Sequence, residues 1–260
     1  MGYYLKQLDK SKFGLFLDFV QQKTNRSRLA ILVDLLNSIF TYNISILEYF
    51  QFHFFNQTGN ERASWAGTGL MYEYQLQMNP ESERQILNDK RLFHKHYGEF
   101  VVHKVADIHD LKTPSISEAL LSNRSGKVVF KAPDGKSGAQ VEIRNASDFK
   151  SGEMAGYMKK NNYGLVEEFI QQHPEMNRLS PSGVNTVRII TQLNEAGEVD
   201  ILGCRLRISV DSPVDNMAAG NLAAPIDKEA GKINGPAVYS DITKPEQETH
   251  PVTGVKIPGF

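Results

Sequence analysis

The placement of proline is the feature that most limits how this chain can fold. None of the eleven prolines comes before Pro80, whereas eighteen of the twenty-five aromatic residues lie in the first hundred positions. Because a proline inside a helix costs about 3 kcal/mol, so long a proline-free stretch favours helices. Apolar residues recur there at helical spacing: Leu29, Leu32, Val33, Leu36, Ile39 and Phe40, continued by Ile44, Leu47, Phe50 and Phe54. We expect residues 1–80 to form an aromatic-rich helical segment that packs a core, with a partner- or membrane-facing stripe as the alternative.

After Pro80 the pattern changes to short β-branched and apolar runs that end at turns. These predicted strands lie at 100–102, 128–130, 141–143, 165–166, 187–190 and 201–208. Helical patches are predicted between them at 86–97, 116–121 and 149–160. Irregular alternation of this kind predicts an α+β fold, because a parallel sheet would need regular strand–helix–strand units.

Composition excludes several classes of protein. Twenty-nine basic and thirty acidic residues leave a formal charge of −1, with no basic run, which argues against nucleic-acid binding through bulk charge. The single cysteine, Cys204, cannot form a disulfide framework or a structural zinc site. The longest apolar stretch, 29–40, is short and contains Asp34 and Asn37. We therefore expect no integral membrane segment and a cytoplasmic protein.

The segment 126–143 has the pattern of a strand, a glycine-containing loop and a returning strand. Lys131 ends the first strand, and the loop contains Gly135, Lys136, Ser137 and Gly138. Such a hairpin can fold over a polyphosphate, with backbone N–H groups and a strand-end lysine on the phosphate oxygens. The alternative is an ordinary solvated hairpin with a surface lysine.

Two flanking features favour the nucleotide interpretation. Lys90 follows Asn88 and Asp89 at a predicted helix start, forty-one residues before Lys131, and supplies a second candidate cation for phosphate. Downstream, residues 165–170 form an apolar strand with two adjacent carboxylates, Glu167 and Glu168. A strand of this kind can hold an adenine between apolar side chains while backbone groups bind its edge.

The order of these features resembles the ATP-grasp enzymes. More narrowly, it resembles the sugar-transfer-associated ATP-grasp proteins encoded near capsule and exopolysaccharide genes. The resemblance covers about residues 60–260 and includes four further motifs: Asn185-Thr186-Val187-Arg188, Arg205-Leu206-Arg207, Val214-Asp215-Asn216 and His250-Pro251-Val252-Thr253-Gly254. It implies two α+β lobes that clasp ATP, at 81–165 and 166–260, after the helical segment.

The resemblance also implies roles for individual residues. Lys90 and Lys131 would bind the α- and β-phosphates under the glycine loop. The adenine hinge would comprise Glu167, Glu168, Phe169 and Ile170. Arg188 would be catalytic, by steadying the γ-phosphate or the acyl-phosphate transition state. The substrate side would be formed by Asn185, Arg207, Asp215 and Asn216.

The magnesium site of the resembled family has no counterpart in the sequence. That family holds Mg²⁺ with an acidic residue and a Glu-x-Asn motif near the end of the fold. The Glu-x-Asn here, at 175–177, lies just after the hinge. We therefore assign no metal ligands, although the resemblance implies ATP with Mg²⁺, and we expect a second lobe that is short at its C-terminus.

The resemblance implies an ATP-dependent carboxylate–amine ligase of bacterial surface polysaccharide biosynthesis. Such an enzyme would form an acyl phosphate, take a small-molecule or sugar acceptor, and work beside a glycosyltransferase partner. Two alternatives stay open: a non-catalytic nucleotide-binding or scaffold module, and a phosphotransferase that acts on a sugar.

Overall fold

The computed structural model describes residues 10–132 and 141–260, and the chain divides into two compact units. One unit combines the residues up to Asn79 with Arg178–Phe260, and the other is Pro80–Asn177. The division of the sequence into a helical segment and two lobes, at 1–80, 81–165 and 166–260, stays a prediction.

The N-terminal part of the first unit is helical, as its lack of proline predicts. Its helices are α1 (Lys10–Thr24), α2 (Arg28–Tyr42), α3 (Ile46–Gln51), α4 (Gly59–Ala63) and α5 (Thr68–Met78). Aromatic side chains supply most of the volume of their shared core, with Phe16, Tyr49, Phe50 and Phe54 almost wholly buried. The expected aromatic-rich helical segment is confirmed for the described residues.

Capping residues divide this stretch where the apolar spacing alone predicts continuity. Asn43 ends α2 with a left-handed backbone (φ 52°). Ser45 then starts α3: its hydroxyl accepts a hydrogen bond from the Glu48 N–H at 3.3 Å, and the Glu48 carboxylate accepts one from the Ser45 N–H at 2.7 Å. Reciprocal bonds of this kind satisfy N–H groups that a helix start leaves unpaired. The amphipathic run therefore folds as two helices.

A half-buried carboxylate, Asp34, joins these helices to one another. Arg62 donates to both oxygens of Asp34, at 2.7 and 3.1 Å, and the Tyr49 hydroxyl donates to Oδ2 at 2.8 Å. Arg26 adds a fourth hydrogen bond at 3.2 Å. Burial raises the pKa of Asp34, but the hydrogen bonds from Arg62, Tyr49 and Arg26 outweigh burial and lower it overall. We call Asp34 with these three partners the Asp34 cluster.

The second unit is built on a four-stranded antiparallel sheet. Its helices are α6 (Glu81–Asn88), α7 (Lys90–Tyr97), α8 (Pro114–Leu121) and α9 (Glu153–Asn161), and its strands are β1 (Val105–Asp107), β2 (Lys127–Lys131), β3 (Val141–Asn145) and β4 (Leu165–Glu168). The strand order is β1-β4-β2-β3. On one face, Val128, Phe130 and Val166 pack with Met154 and Met158 of α9. The side chains of Lys131 and Glu167, described below, lie on the opposite face.

One local prediction for this unit is wrong, and two differ at their bounds. The helix predicted at 86–97, with its start near Asn88 and Asp89, is present from Lys90 onward, where Asp89 caps α7 by accepting from the Arg91 N–H, while 86–88 belong to the end of α6. The strand predicted at 100–102 does not form: a short 3-10 turn spans Gly98–Phe100, and β4 pairs instead with Val105–Asp107. The helix predicted at 149–160 begins only at Glu153, after Gly152 with a φ of 88°.

The second sheet belongs to the first unit. Helix α10 (Pro174–Leu179) precedes strands β5 (Thr186–Leu193), β6 (Val199–Ile208), β7 (Leu222–Ile226) and β8 (Val238–Tyr239), which pair in chain order. Strand β5 lies at an edge of the sheet and exposes Val187, Ile189, Ile190 and Leu193. All strand pairs of both sheets are antiparallel, which confirms the α+β class.

Candidate functional site

Two predicted site residues, Lys131 and Glu167, meet on one face of the sheet of the second unit. Strands β2 and β4 are antiparallel with Val129 opposite Glu167 and Lys131 opposite Leu165. Because side chains alternate between the two faces of a strand, Lys131 and Glu167 point to the side away from Phe130 and Val166. Their side chains form an ion pair between Lys131 Nζ and Glu167 Oε1.

Lys90 lies near this ion pair. It is the first residue of α7, and its ammonium donates to the backbone oxygen of Ala132, the residue after Lys131, at 3.1 Å. Burial, followed by the charge of Lys90, lowers the pKa of Lys131. Contact with the Glu167 carboxylate acts in the opposite direction, by favouring the charged ammonium. The two lysines that were expected to bind phosphate are therefore adjacent.

His103 completes the cluster, and the sequence did not predict it. Its Nε2 lies 2.7 Å from Glu167 Oε2. Since an ionised carboxylate can only accept, Nε2 carries the hydrogen of this bond. Burial lowers the pKa of His103, the charge of Lys131 lowers it further, and Glu168 partly opposes both. We call Lys90, Lys131, Glu167 and His103 the Glu167 cluster.

The rest of the expected hinge, 168–170, follows Glu167. The Glu168 N–H donates to the Lys104 oxygen at 2.9 Å, and the Phe169 N–H donates to the Lys127 oxygen at 3.2 Å. Residues 168–171 line a cavity of about 310 Å³ together with Val102, His103 and the turn 123–125. This volume is at the lower end of the range for small-molecule sites. The hinge thus borders a cavity that His103 also lines.

The remaining predicted residues lie in the other unit. Arg188 of β5 is directly opposite Arg205 of β6, and Thr186 is opposite Arg207. Directly opposed residues share a face of the sheet, so three guanidinium groups lie on one side of this hairpin. Arg207 is paired with Asp215 at 3.2 Å, and Asp215 also accepts from the Thr186 hydroxyl. Arg188 and Arg205 are exposed.

Two of the predicted substrate-binding amides are bonded to backbone groups. Asn185 accepts from the Ser209 N–H at 2.8 Å and donates to the Ser180 oxygen at 3.0 Å. Asn216 accepts from the Ala218 N–H at 3.1 Å. His250 of the last resembled motif is buried, with Nε2 2.8 Å from the Ser209 oxygen. These contacts give the three side chains a part in holding the loops around β5 and β6.

The predicted glycine loop, with Gly135, Lys136, Ser137 and Gly138, lies outside the described residues. Within residues 10–132 and 141–260, no group of three or more His, Cys, Asp or Glu side chains is placed to hold a metal ion. Asp215 is engaged by Arg207 and Thr186. No magnesium ligands are therefore assigned among the described residues.

Comparison with models of known protein families identifies the family of the chain. Residues 70–260 match the family model for sugar-transfer associated ATP-grasp proteins. The chain belongs to this family. It is an ATP-binding protein of the ATP-grasp type, and ATP-grasp proteins generally bind ATP with Mg²⁺. No curated protein matches the chain. Among the described helices of this ATP-grasp protein, none has the length and apolar character needed to cross a membrane.

Proposed function

We propose that this ATP-grasp protein is an ATP-dependent carboxylate–amine ligase of bacterial surface polysaccharide biosynthesis. The observation that carries the proposal is the meeting of Lys90 and Lys131 beside a hinge that borders a cavity. Lys90 contacts the residue after Lys131, and its charge acts on Lys131. Two ammonium groups placed in this way favour a ligand with several negative charges, and a nucleotide polyphosphate has that chemistry. The family description adds the link to sugar transfer.

In the proposed reaction, a carboxylate oxygen of the substrate attacks the γ-phosphorus of ATP. The bond from that phosphorus to the β–γ bridging oxygen breaks, and ADP leaves with its electrons. An amine nitrogen then attacks the carbonyl carbon of the acyl phosphate, phosphate departs, and the nitrogen loses a proton. The products are an amide, ADP and inorganic phosphate.

Within this reaction we assign the α- and β-phosphates to Lys90 and Lys131, and the adenine edge to the backbone of 167–170. Arg188 is proposed as the residue that stabilises the transferring phosphoryl group, where negative charge is spread over several oxygens. Its exposed guanidinium, on a sheet face that also carries Arg205 and Arg207, supports that role. Arg207, Asp215, Asn185 and Asn216 are proposed for the substrate side.

Isotope transfer tests the ligase directly. The protein is incubated with ATP, amino acids and uronic acids whose carboxylates carry ¹⁸O, and the released phosphate is analysed by mass spectrometry. An acyl phosphate moves one ¹⁸O from the carboxylate to phosphate, and an amide accumulates. A phosphosugar without labelled phosphate would instead identify a phosphotransferase, and ATP binding without ADP release would identify a scaffold.

A further inference from the structure

The carboxylate of Glu167 is shared between two side chains, Lys131 and His103. Its Oε1 is paired with the Lys131 ammonium, and its Oε2 is 2.7 Å from His103 Nε2. The Glu167 side chain is only 11% exposed, so little water reaches it. A carboxylate in such a place needs its partners, because an unpaired buried charge is costly.

Nucleotide binding changes one of these partners. On the proposed assignment, phosphate oxygens take up hydrogen bonds from the Lys131 ammonium, and its positive charge is then shared with the ligand. Glu167 loses part of its ion pair while it stays buried. His103 keeps its bond to Oε2, because the imidazole belongs to the segment before β1 and is separate from the strand that carries Lys131.

The same event removes a cause that keeps His103 neutral. Among the described residues, the charged groups that act on the imidazole are Lys131 from β2 and Glu167 and Glu168 from β4, and Arg124 of the turn before β2 lines the same cavity as His103. After burial, the Lys131 charge is the next cause that lowers the pKa of His103. When phosphate neutralises that charge, the two carboxylates dominate the field, and the imidazolium form becomes more favourable.

We propose that His103 is a positioning residue of the nucleotide site, which holds Glu167 when phosphate oxygens engage Lys131 and takes up a proton as the nucleotide binds. The proposal rests on the assignment of Lys131 to the phosphates. One proton then becomes a reactant in nucleotide binding. The free protein, the nucleotide and H⁺ form a complex in which His103 carries a positive charge. Linkage then requires nucleotide affinity to rise as the pH falls through the range in which His103 titrates.

Calorimetry measures this proton. ATP is titrated at pH 7 into the protein in buffers of different ionisation enthalpy, and the slope of the observed enthalpy gives the number of protons taken up. His103→Gln keeps an N–H donor for Glu167 and cannot titrate, while His96→Gln changes an exposed imidazole of α7. The protonation of ATP itself is the same in all three proteins, so it cancels in the differences.

We expect wild type and His96→Gln to take up more protons than His103→Gln. Between pH 8 and pH 6 their ATP affinity should rise above that of His103→Gln, by up to about tenfold for each unit by which binding raises the pKa. His103→Ala should bind ATP more weakly at every pH, and His103→Gln should restore the affinity at pH 8. Equal proton uptake by wild type and His103→Gln would overturn the proposal.

The failure of the site assignment is distinguishable from the failure of this inference. An ATP affinity unchanged in Lys131→Ala would remove the phosphates from Lys131, whatever the proton count. If His103→Gln does not fold, the imidazole signals of the unmodified protein can be followed by NMR over pH, with and without ADP. One imidazole must then titrate at higher pH with ADP bound, and the absence of any such shift contradicts the proposal.

Discussion

The Asp34 cluster and the Glu167 cluster are built from the same kind of group, a carboxylate withdrawn from water, yet they differ in their partners. The Asp34 side chain is 17% exposed and that of Glu167 is 11% exposed. Asp34 is held by two arginines and a tyrosine, which stay in one protonation state over the working range of pH. Glu167 is held by a lysine and a histidine.

This difference distinguishes a structural contact from a candidate ligand-binding site. Arginine binds a carboxylate in a fixed two-pronged geometry, which suits a contact that joins helices permanently. Lysine is a compact charge on a flexible stem, and histidine titrates near neutral pH, so both can exchange a carboxylate for another partner or a proton. The Glu167 cluster can therefore respond to a ligand, whereas the Asp34 cluster has no exchangeable member.

The largest expected effect is on stability, at the Asp34 cluster. Asp34→Ala leaves Arg62 and Tyr49 without their shared acceptor, and we expect it to lower the free energy of unfolding by about 3 kcal/mol. The measurement is urea unfolding followed by circular dichroism. The folded fraction should bind ATP as wild type does. A loss of ATP affinity without a loss of stability would break the distinction between the two clusters.

The next effect should appear in binding, at the Glu167 cluster. Lys131→Ala removes a charge-assisted hydrogen bond to phosphate worth about 1.5–3 kcal/mol, so ATP affinity should fall roughly 10- to 150-fold with the fold intact. Titration calorimetry measures the affinity. Lys150→Ala, an exposed lysine of the same unit, is the matched control and should bind ATP normally. Equal affinities for the two variants would contradict the phosphate assignment.

The contribution of Asp34 to the free energy of unfolding should depend on pH in the acid range. Because the folded protein holds the pKa of Asp34 below its ordinary value of 3.8, the stability that it contributes is present above that pH and is lost as the pH falls further. The difference in unfolding free energy between wild type and Asp34→Asn should be constant from pH 7 to pH 5 and shrink below 3.8. A difference that grew in acid would show that folding raises the pKa of Asp34 and does not lower it.

The smallest effect is expected at an exposed ion pair in the same helices. Arg28 and Asp18 are paired, but their side chains are 59% and 47% exposed. Solvent screens such pairs, so Asp18→Ala should change the unfolding free energy by less than about 0.5 kcal/mol. Urea unfolding beside Asp34→Ala checks this. A loss comparable to that of Asp34→Ala would show that burial is not what distinguishes Asp34.

The sequence predicted what depends on local pattern. The runs at 128–130, 141–143 and 187–190 form strands because β-branched and aromatic residues suit the extended backbone of a sheet, and the proline-free front is helical. The run at 100–102 has the same composition and is not a strand, since a strand needs a partner and β4 pairs with 105–107. Side-chain pattern cannot specify which of two nearby runs finds that partner.

The sequence marks candidate site residues where a local motif carries them and not where distant residues meet. Lys90 stands at a predicted helix start and Lys131 at the end of a predicted strand, and the structure places both in one cluster, while their binding of phosphate stays a prediction. His103 meets a carboxylate sixty-four positions away, and no spacing in the sequence signals that contact. In the sequence Asp34 is only a polar interruption of an apolar stretch, because its partners Arg62 and Tyr49 lie on other helices.

The exposed edge strand β5 has a consequence for how the protein behaves in solution. Its eight residues include one charged side chain, Arg188, and no proline, and its apolar side chains face solvent. An edge of this kind accepts a strand from another chain, since charge and proline are the usual means of preventing it. We expect substitutions at Val187, Ile189 or Leu193 to change solubility and self-association before they change the free energy of unfolding.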